Sequence, residues 1–275
     1  ALNRAVVITS IFPPGEAMQR FANLPGWQLI VVADRRTPAA WQQPGACLLS
    51  VAQQRQMPFQ TVKALPWDHY ARKMLGYLWA AREGALLIAE SDDDNLPEPG
   101  WDFPPFEGHF GLLPADRDFI NIYRLFSDQP IWPRGLPLAR IGDPAARLSR
   151  EELVDGFSRI GVWQALADDE PDVDAIYRLT AHKPCRFARQ APVVLAEGTL
   201  SPFNSQNTAF HRALLPLMYL PAYVNFRVTD ILRSYVAQPI MWAAGYRLGF
   251  TGPTVRQARN THDLMDDFRS ELPLY

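Results

Sequence analysis

Lysine is nearly missing from this 275-residue chain. It occurs only at Lys63, Lys73 and Lys183, and arginine supplies the remainder of the 27 positive charges. Against 29 acidic residues the formal net charge is −2. The basic excess that marks nucleic-acid binders is therefore lacking, and no nucleic-acid partner is expected. Long apolar runs are lacking too. The most apolar stretch, 213–224, is broken by Pro216 and Pro221 and falls short of the roughly 18 residues that a membrane span needs, so no span is expected in this chain. No signal peptide is visible, and the first residue is Ala1 rather than Met. The chain thus reads as an excised or trimmed module of a larger protein. The two cysteines, Cys47 and Cys185, fit no CxxC metal spacing and read as buried thiols in a reducing compartment. Internal repeats and low-complexity segments are also lacking. Proline, by contrast, is frequent, 25 residues spread along the chain, which suggests many ordered loops. The composition, 48% hydrophobic and 20% charged, is that of a soluble globular protein. No linker marks a boundary, so a single domain over 1–275 is expected.

The first hundred residues read as alternating elements. "AVVITSIF" (5–12) is β-branched, closed by Pro13-Pro14, and predicts a buried strand. "WQLIVVADRRTP" (27–38) is a second apolar run ending in a polar turn. "ACLLSVAQQRQM" (46–57) suits a short strand and a turn. "DHYARKMLGYLWAAREGA" (68–85) spaces Tyr70, Met74, Leu75, Leu78 and Trp79 as one helical face, with Asp68 as a candidate N-cap and Gly84 as a stop. "LLIAE" (86–90) predicts a further strand. Buried strands with a helix between them predict an α/β layer on a largely parallel sheet. In the second half, "FINIYRLF" (119–126) predicts a strand and "IWPRGLPL" (131–138) an irregular loop. "SREELVDGFSRIGVWQAL" (149–166) predicts a helix, with Ser149 and Glu152 at capping-box spacing. "TDILRSYVAQPIMWAAGY" (229–246) predicts another, starting at Thr229 or Asp230.

Two polar turns fall at strand carboxyl ends, where open α/β sheets bind ligands: "ADRRTP" and "ESDDDN". On an extended segment residues two apart face one way, which would direct Asp92 and Asp94 together and Asp93 away. Two convergent carboxylates raise each other's pKa unless a cation intervenes. Mg²⁺ is commonly held by one or two carboxylates plus substrate phosphates, so Asp-x-Asp at a strand end suits a metal–diphosphate site, although acidic triplets are more often solvated turns. Arg72 and Lys73 near the start of the preceding helix oppose its dipole. An anion held between them and a metal would account for that placement.

The blocks "VVADRRTP", "HYARKMLGYLWAAREGALLIAESDDDN", "NIYRLF", "IWPRGLPL", "PDVDAIYRL", "SPFNSQNTAF", "DILRSYVAQ" and "RQARNTHDLMDDFRSELPLY" together resemble the STELLO family of glycosyltransferases, in order and from about residue 5 to Tyr275. More distantly they resemble the reversibly glycosylated polypeptides, which handle UDP-sugars. The resemblance implies a GT-A fold: one α/β domain with a mixed, mainly parallel central sheet, a Rossmann-like nucleotide-sugar half (1–100) and an acceptor half (101–275). It implies Mn²⁺ or Mg²⁺ on Asp92 and Asp94, with Asp92 also against the nucleotide and His262 as a further metal ligand. It implies Asp34, Arg35 and Thr37 near base and ribose, and Arg72 and Lys73 near ribose or phosphates. On the acceptor side it implies Asp230 as the general base of an inverting transfer, with Asp172, Asp174, Asn204, Gln206 and Asn207 as sugar contacts. Ser205 lies among the last three, and Trp132 and Trp163 are candidates for stacking on a sugar.

The expected activity is transfer of a sugar from a nucleotide diphosphate sugar, a UDP-sugar first, to a glycan or lipid-linked glycan. The arginine bias fits a GC-rich genome and hence a bacterial polysaccharide acceptor. A cytoplasmic protein peripheral to the membrane is expected in a bacterium, and a Golgi-lumen one in a eukaryote. Three alternatives stay open: a UDP-sugar mutase interconverting pyranose and furanose, aspartate-dependent phosphoryl transfer (disfavoured because no lysine follows Lys183) and a non-catalytic scaffold.

Overall fold

Strand β1 (Arg4–Ser10) shows why the N-terminal runs bury on both faces. Its side chains alternate: Ala5 and Val7 join one core, Val6 and Ile8 another, and all four are fully buried. Helix α1 (Glu16–Ala22) covers the second core through Met18 and Phe21. Strands β2 (Gln28–Ala33) and β3 (Ala46–Leu49) follow, then the short helices α2 (Val51–Gln56) and α3 (Thr61–Ala64). Helix α4 (Lys73–Arg82) covers the first core with Met74, Leu75 and Tyr77, and leads into β4 (Leu87–Ser91). At Gly76 a Cβ would meet a methyl of Val7 at 2.3 Å, so the missing side chain is what lets α4 lie directly on β1. The computed structural model describes residues 3–115, 117–143, 148–181, 183–258 and 263–275.

The helix expected over 68–85 begins as a 3-10 turn, Tyr70–Arg72, and becomes α-helical at Lys73. Its cap is not Asp68. The Nδ1 of His69 accepts from the backbone N–H of Ala71 at 3.0 Å, while Asp68 occupies a left-handed conformation (φ 53°) and turns its carboxylate to Arg35. Gly84, at φ 100°, ends the helix as expected.

The second half supplies β5 (Asn95–Pro97), β6 (Glu107–Leu113), β7 (Asp118–Phe119), β8 (Val154–Asp168), α5 (Ala175–Thr180), β9 (Val193–Leu195), β10 (Thr199–Leu200), β11 (Asn207–His211), α6 (Phe226–Ala243), β12 (Arg247–Gln257) and α7 (Leu264–Glu271). One ten-stranded sheet runs β3-β2-β1-β4-β11-β8-β6-β9-β12-β5. The run β3-β2-β1-β4 is wholly parallel. Strand β11 is antiparallel to both β4 and β8, and β12 is parallel to β8. This is a mixed α/β sheet of GT-A-like form whose parallel pairing is concentrated in the first half.

Three expectations change. Residues 149–166 are not a helix. Ser149 does cap, accepting from the Glu151 N–H, but the turn stops at Glu152 and the chain becomes the 15-residue β8. From Ile160 onward β8 is buried on both faces, so period-2 alternation is lost and the run looks helical by composition. "FINIYRLF" holds only the two-residue β7 and a 3-10 turn at Ile122–Leu125. Helix α6 starts before Thr229, capped by Asn225, whose side chain accepts from the Arg227 N–H at 3.0 Å. Among the described residues no helix is long and apolar enough to cross a membrane.

Candidate functional site

The carboxyl ends of β1, β2 and β4 share one edge because those strands are parallel and in register. A cavity of about 750 Å³ opens there, walled on its other side by the loop before α6 and the first turns of α6. Ser10, Asp34 and Asp92, the residues at or just beyond the three strand ends, all line it. The topology alone thus places both polar turns singled out in the sequence at one cavity.

The acidic turn departs from the expected alternation. Residues 93 and 94 form a turn, with the Asn95 N–H donating to the Asp92 carbonyl at 3.2 Å, so Asp93 lines the cavity together with Asp92 and Asp94. The Oδ1 of Asp92 accepts from Tyr70 Oη at 2.9 Å and Lys73 Nζ at 3.1 Å, and its side chain is 30% exposed. Burial pushes the Asp92 carboxyl up to about 6. The charge of Lys73 opposes this and that of Asp94 adds to it. Burial likewise raises Asp93, whose Oδ2 accepts from Ser10 Oγ at 2.6 Å. Asp94 accepts from Gln257 Nε2 at 3.1 Å. Glu90 points away from the cavity, into a buried pair with Arg233 at 2.7 Å and a hydrogen bond from Tyr77.

The two cations expected near phosphate are internal. Lys73 is fully buried under the acidic turn, its Nζ donating to the Ser91 carbonyl and Tyr70 Oη, both at 2.6 Å, as well as to Asp92. Arg72 is 1% exposed, held by Gln54 Oε1 and the Leu65 carbonyl and stacked 3.4 Å from the Trp67 ring, although it reaches the cavity wall. Of the "ADRRTP" residues, Asp34 lines the cavity, with its carboxylate accepting the N–H groups of Arg35 and His69. Thr37 is a strap: its Oγ1 donates to the Ser10 carbonyl at 2.6 Å and accepts from the Asp34 N–H at 2.8 Å. Arg35, not itself a lining residue, pairs with Asp68, which lines the cavity together with Arg36.

On the α6 wall, Arg134 from "IWPRGLPL" joins two carboxylates. It donates to Asp172 twice at 2.8 Å, and to Asp230 at 3.1 and 3.0 Å. Asp230 also accepts from the Ser205 N–H and Oγ, each at 3.2 Å, and from the Ile231 N–H at 3.0 Å. Burial would raise the Asp230 carboxyl, but the charge and hydrogen bonds of Arg134 outweigh it and hold the group below the usual carboxylate range. Ser205 and Gln206 line the cavity. Asn204 and Asn207 do not. Asn204 accepts from the Gln206 N–H, and Asn207 is fully buried between Trp101, Leu166 and Thr254. Asp174 is also remote. It caps α5 by accepting the Tyr177 N–H at 2.8 Å, takes the indole N–H of Trp132 at 2.6 Å, and is raised to about 6 by burial. Trp163 is fully buried in β8. His262 lies outside the described residues.

Sequence reasoning missed Tyr70, Arg134, Arg36 and Asp93 as wall residues. Tyr70 and Arg134 each sat in a quoted block, but their role depends on partners more than 20 residues away in the chain: Asp92 and Ser205 for Tyr70, Asp172 and Asp230 for Arg134.

Among the described residues seven aspartates and five arginines line the cavity. Two of those arginines, Arg178 and Arg227, pair with Glu170 and Glu271. Among the described residues no three His, Cys, Asp or Glu side chains converge as a ready metal cage.

No protein-family model matches the chain. Two similar proteins are named as glycosyltransferases. The chain is 30% identical, over 92% of its length, to a protein of Arabidopsis thaliana named probable glycosyltransferase STELLO2, and 28% identical over the same share to probable glycosyltransferase STELLO1 of that plant. It spans about a third, 35%, of the length of these curated relatives. The resemblance to STELLO-like glycosyltransferases drawn from the sequence blocks is thereby borne out.

Proposed function

We propose that the chain is a glycosyltransferase domain that moves a sugar from a nucleotide diphosphate sugar to a hydroxyl group of a glycan. The observation that carries this reading is the acidic turn on the cavity wall: Asp92, Asp93 and Asp94 at a parallel strand end, with Asp92 and Asp93 raised by burial and Asp92 paired with the buried Lys73. A bare diphosphate would be repelled there, whereas a diphosphate arriving with a divalent cation would be attracted. Asp92 and Asp94 would hold Mn²⁺ or Mg²⁺, and when bound the ion supplies charge neutralisation for the departing diphosphate. Lys73 and Tyr70 fix the Asp92 carboxylate through Oδ1, and Oδ2 receives no hydrogen bond from the described residues. Asp34, at the end of β2, is the candidate for the ribose hydroxyls.

Asp230 is the candidate base. Arg134 keeps it ionised at any working pH, at a cost in basicity, so it accepts the proton as the hydroxyl loses it to the forming glycosidic bond. Of its bonds, the one from Ser205 Oγ is the most readily given up. That hydroxyl lies 2.6 Å from Tyr70 Oη, a second partner, which lets an acceptor hydroxyl take its place on Oδ2. Asp172 holds the far edge of Arg134 and so fixes the fork on which Asp230 rests.

Thermal-shift measurement against UDP, GDP and ADP, with and without Mn²⁺, tests the proposal. A rise in Tm with UDP that requires Mn²⁺ is expected. No shift with any of the three nucleotides overturns the reading.

A further inference from the structure

Most cations at the cavity are already engaged. Arg134 serves two aspartates and Arg178 and Arg227 each serve a glutamate, and their side chains are 8%, 3% and 9% exposed. Arg72 is locked by Gln54 and Trp67, and Lys73 by Asp92 and two further oxygens. None of these can turn toward a ligand without leaving a buried carboxylate or carbonyl behind, which is costly.

Arg36 differs from all of them. It lines the cavity from the loop after β2, and its side chain is 66% exposed. Its nearest carboxylate oxygen is Asp68 Oδ1 at 3.9 Å, too long for a hydrogen bond. Asp68 is meanwhile paired through Oδ2 with Arg35, whose Nε lies 2.9 Å away. One carboxylate thus faces two guanidinium groups, and Arg36 carries the charge left over. Strand β1 lies between β2 and β4, so the end of β2 lies about 10 Å from the acidic turn, within the reach of an arginine side chain and a diphosphate together.

We propose that, among the described residues, Arg36 is the cation of the cavity that a ligand can recruit. It leaves Asp68 and closes its fork on the phosphate oxygens of the nucleotide diphosphate, opposite the acidic turn. A planar guanidinium matches two phosphate oxygens at once, a geometry that an ammonium does not reproduce. The inference rests on the nucleotide-sugar reading above and adds the residue that grips the phosphates. Because Arg36 is exposed, its removal leaves the fold intact.

The test is calorimetric titration of wild type, Arg36→Ala and Arg36→Lys with UDP and with UMP, in the presence of Mn²⁺. Arg36→Ala is expected to weaken UDP about 10- to 100-fold and UMP by much less, with Arg36→Lys in between and the melting temperature of the free protein unchanged. If wild type binds UDP and Arg36→Ala binds it equally well, the inference fails and the function reading stands. If Arg36→Ala weakens UMP and UDP alike, Arg36 serves the nucleoside or α-phosphate and the inference also fails. If wild type does not bind UDP with Mn²⁺, the function reading itself fails.

Discussion

The two walls of the cavity both crowd carboxylates together, and they relieve the repulsion in opposite ways. On the α6 wall Asp172 and Asp230 share Arg134, their hydrogen bonds are supplied from within the protein, and Asp230 is held below its ordinary range. On the β4 wall Asp92 pairs with the buried Lys73, Asp93 accepts from Ser10 Oγ and Asp94 from Gln257, and burial pushes Asp92 up to about 6. The first wall holds its carboxyl down through an arginine, whereas on the second burial outweighs Lys73 and leaves Asp92 raised. The raised carboxyl is where a cation arriving with a ligand would gain most.

The largest expected effect comes from removing the arginine of the α6 wall. Arg134→Met strands the buried Asp230 and the part-buried Asp172 and should cost about 3–5 kcal/mol in urea denaturation. Adding Asp172→Asn and Asp230→Asn should recover most of it. A loss below about 1 kcal/mol for the single variant would show that the α6 wall does not depend on its arginine. The reverse experiment removes charge from the β4 wall. Asp94→Asn should weaken UDP binding in Mn²⁺ by at least about tenfold while changing the stability of the free protein by less than about 1 kcal/mol. Unaltered UDP affinity would remove Asp94 from the site.

The smallest effect separates Asp174 from both walls. It is fully buried, and its folded value of about 6 stands above the ordinary 3.8. The protonated form is therefore favoured in the folded state. Its stabilisation is fully present below about pH 4 and is lost as pH rises to about 6. Asparagine keeps the cap on the Tyr177 N–H, but its amide NH2 cannot accept from Trp132 as Oδ2 does, a loss that is the same across the pH range. Asp174→Asn should therefore gain on wild type by on the order of 1–2 kcal/mol between pH 4 and 6 and stay level above, as read from Tm across pH, with UDP affinity unchanged.

Much of the β4 wall was legible in the sequence. Strands β1, β2 and β4 declared themselves by apolar runs with β-branched residues, and the strand-end rule then put "ADRRTP" and "ESDDDN" on one edge. The α6 wall was far less legible. Arg134 sits in a proline-rich loop whose periodicity says nothing, and its meaning comes from Asp230, 96 residues later. The same limit hid β8. Its capping signal at Ser149 is real, but the run behind it is buried on both faces, and Gly161 there admits Leu214, whose Cδ1 would lie 2.2 Å from any Cβ. Local signals identified Arg72 and Lys73 as basic, yet only the packing shows that one is locked on Trp67 and the other is the counter-ion of Asp92.

The central claim is that the β4 wall takes up a divalent cation together with the ligand. Calorimetric titration of wild type with UDP across a series of Mn²⁺ concentrations tests it most directly. The account predicts that UDP affinity rises with Mn²⁺ and collapses in EDTA, and that the dependence is lost in Asp94→Asn. Equal UDP affinity with Mn²⁺ and with EDTA would contradict it.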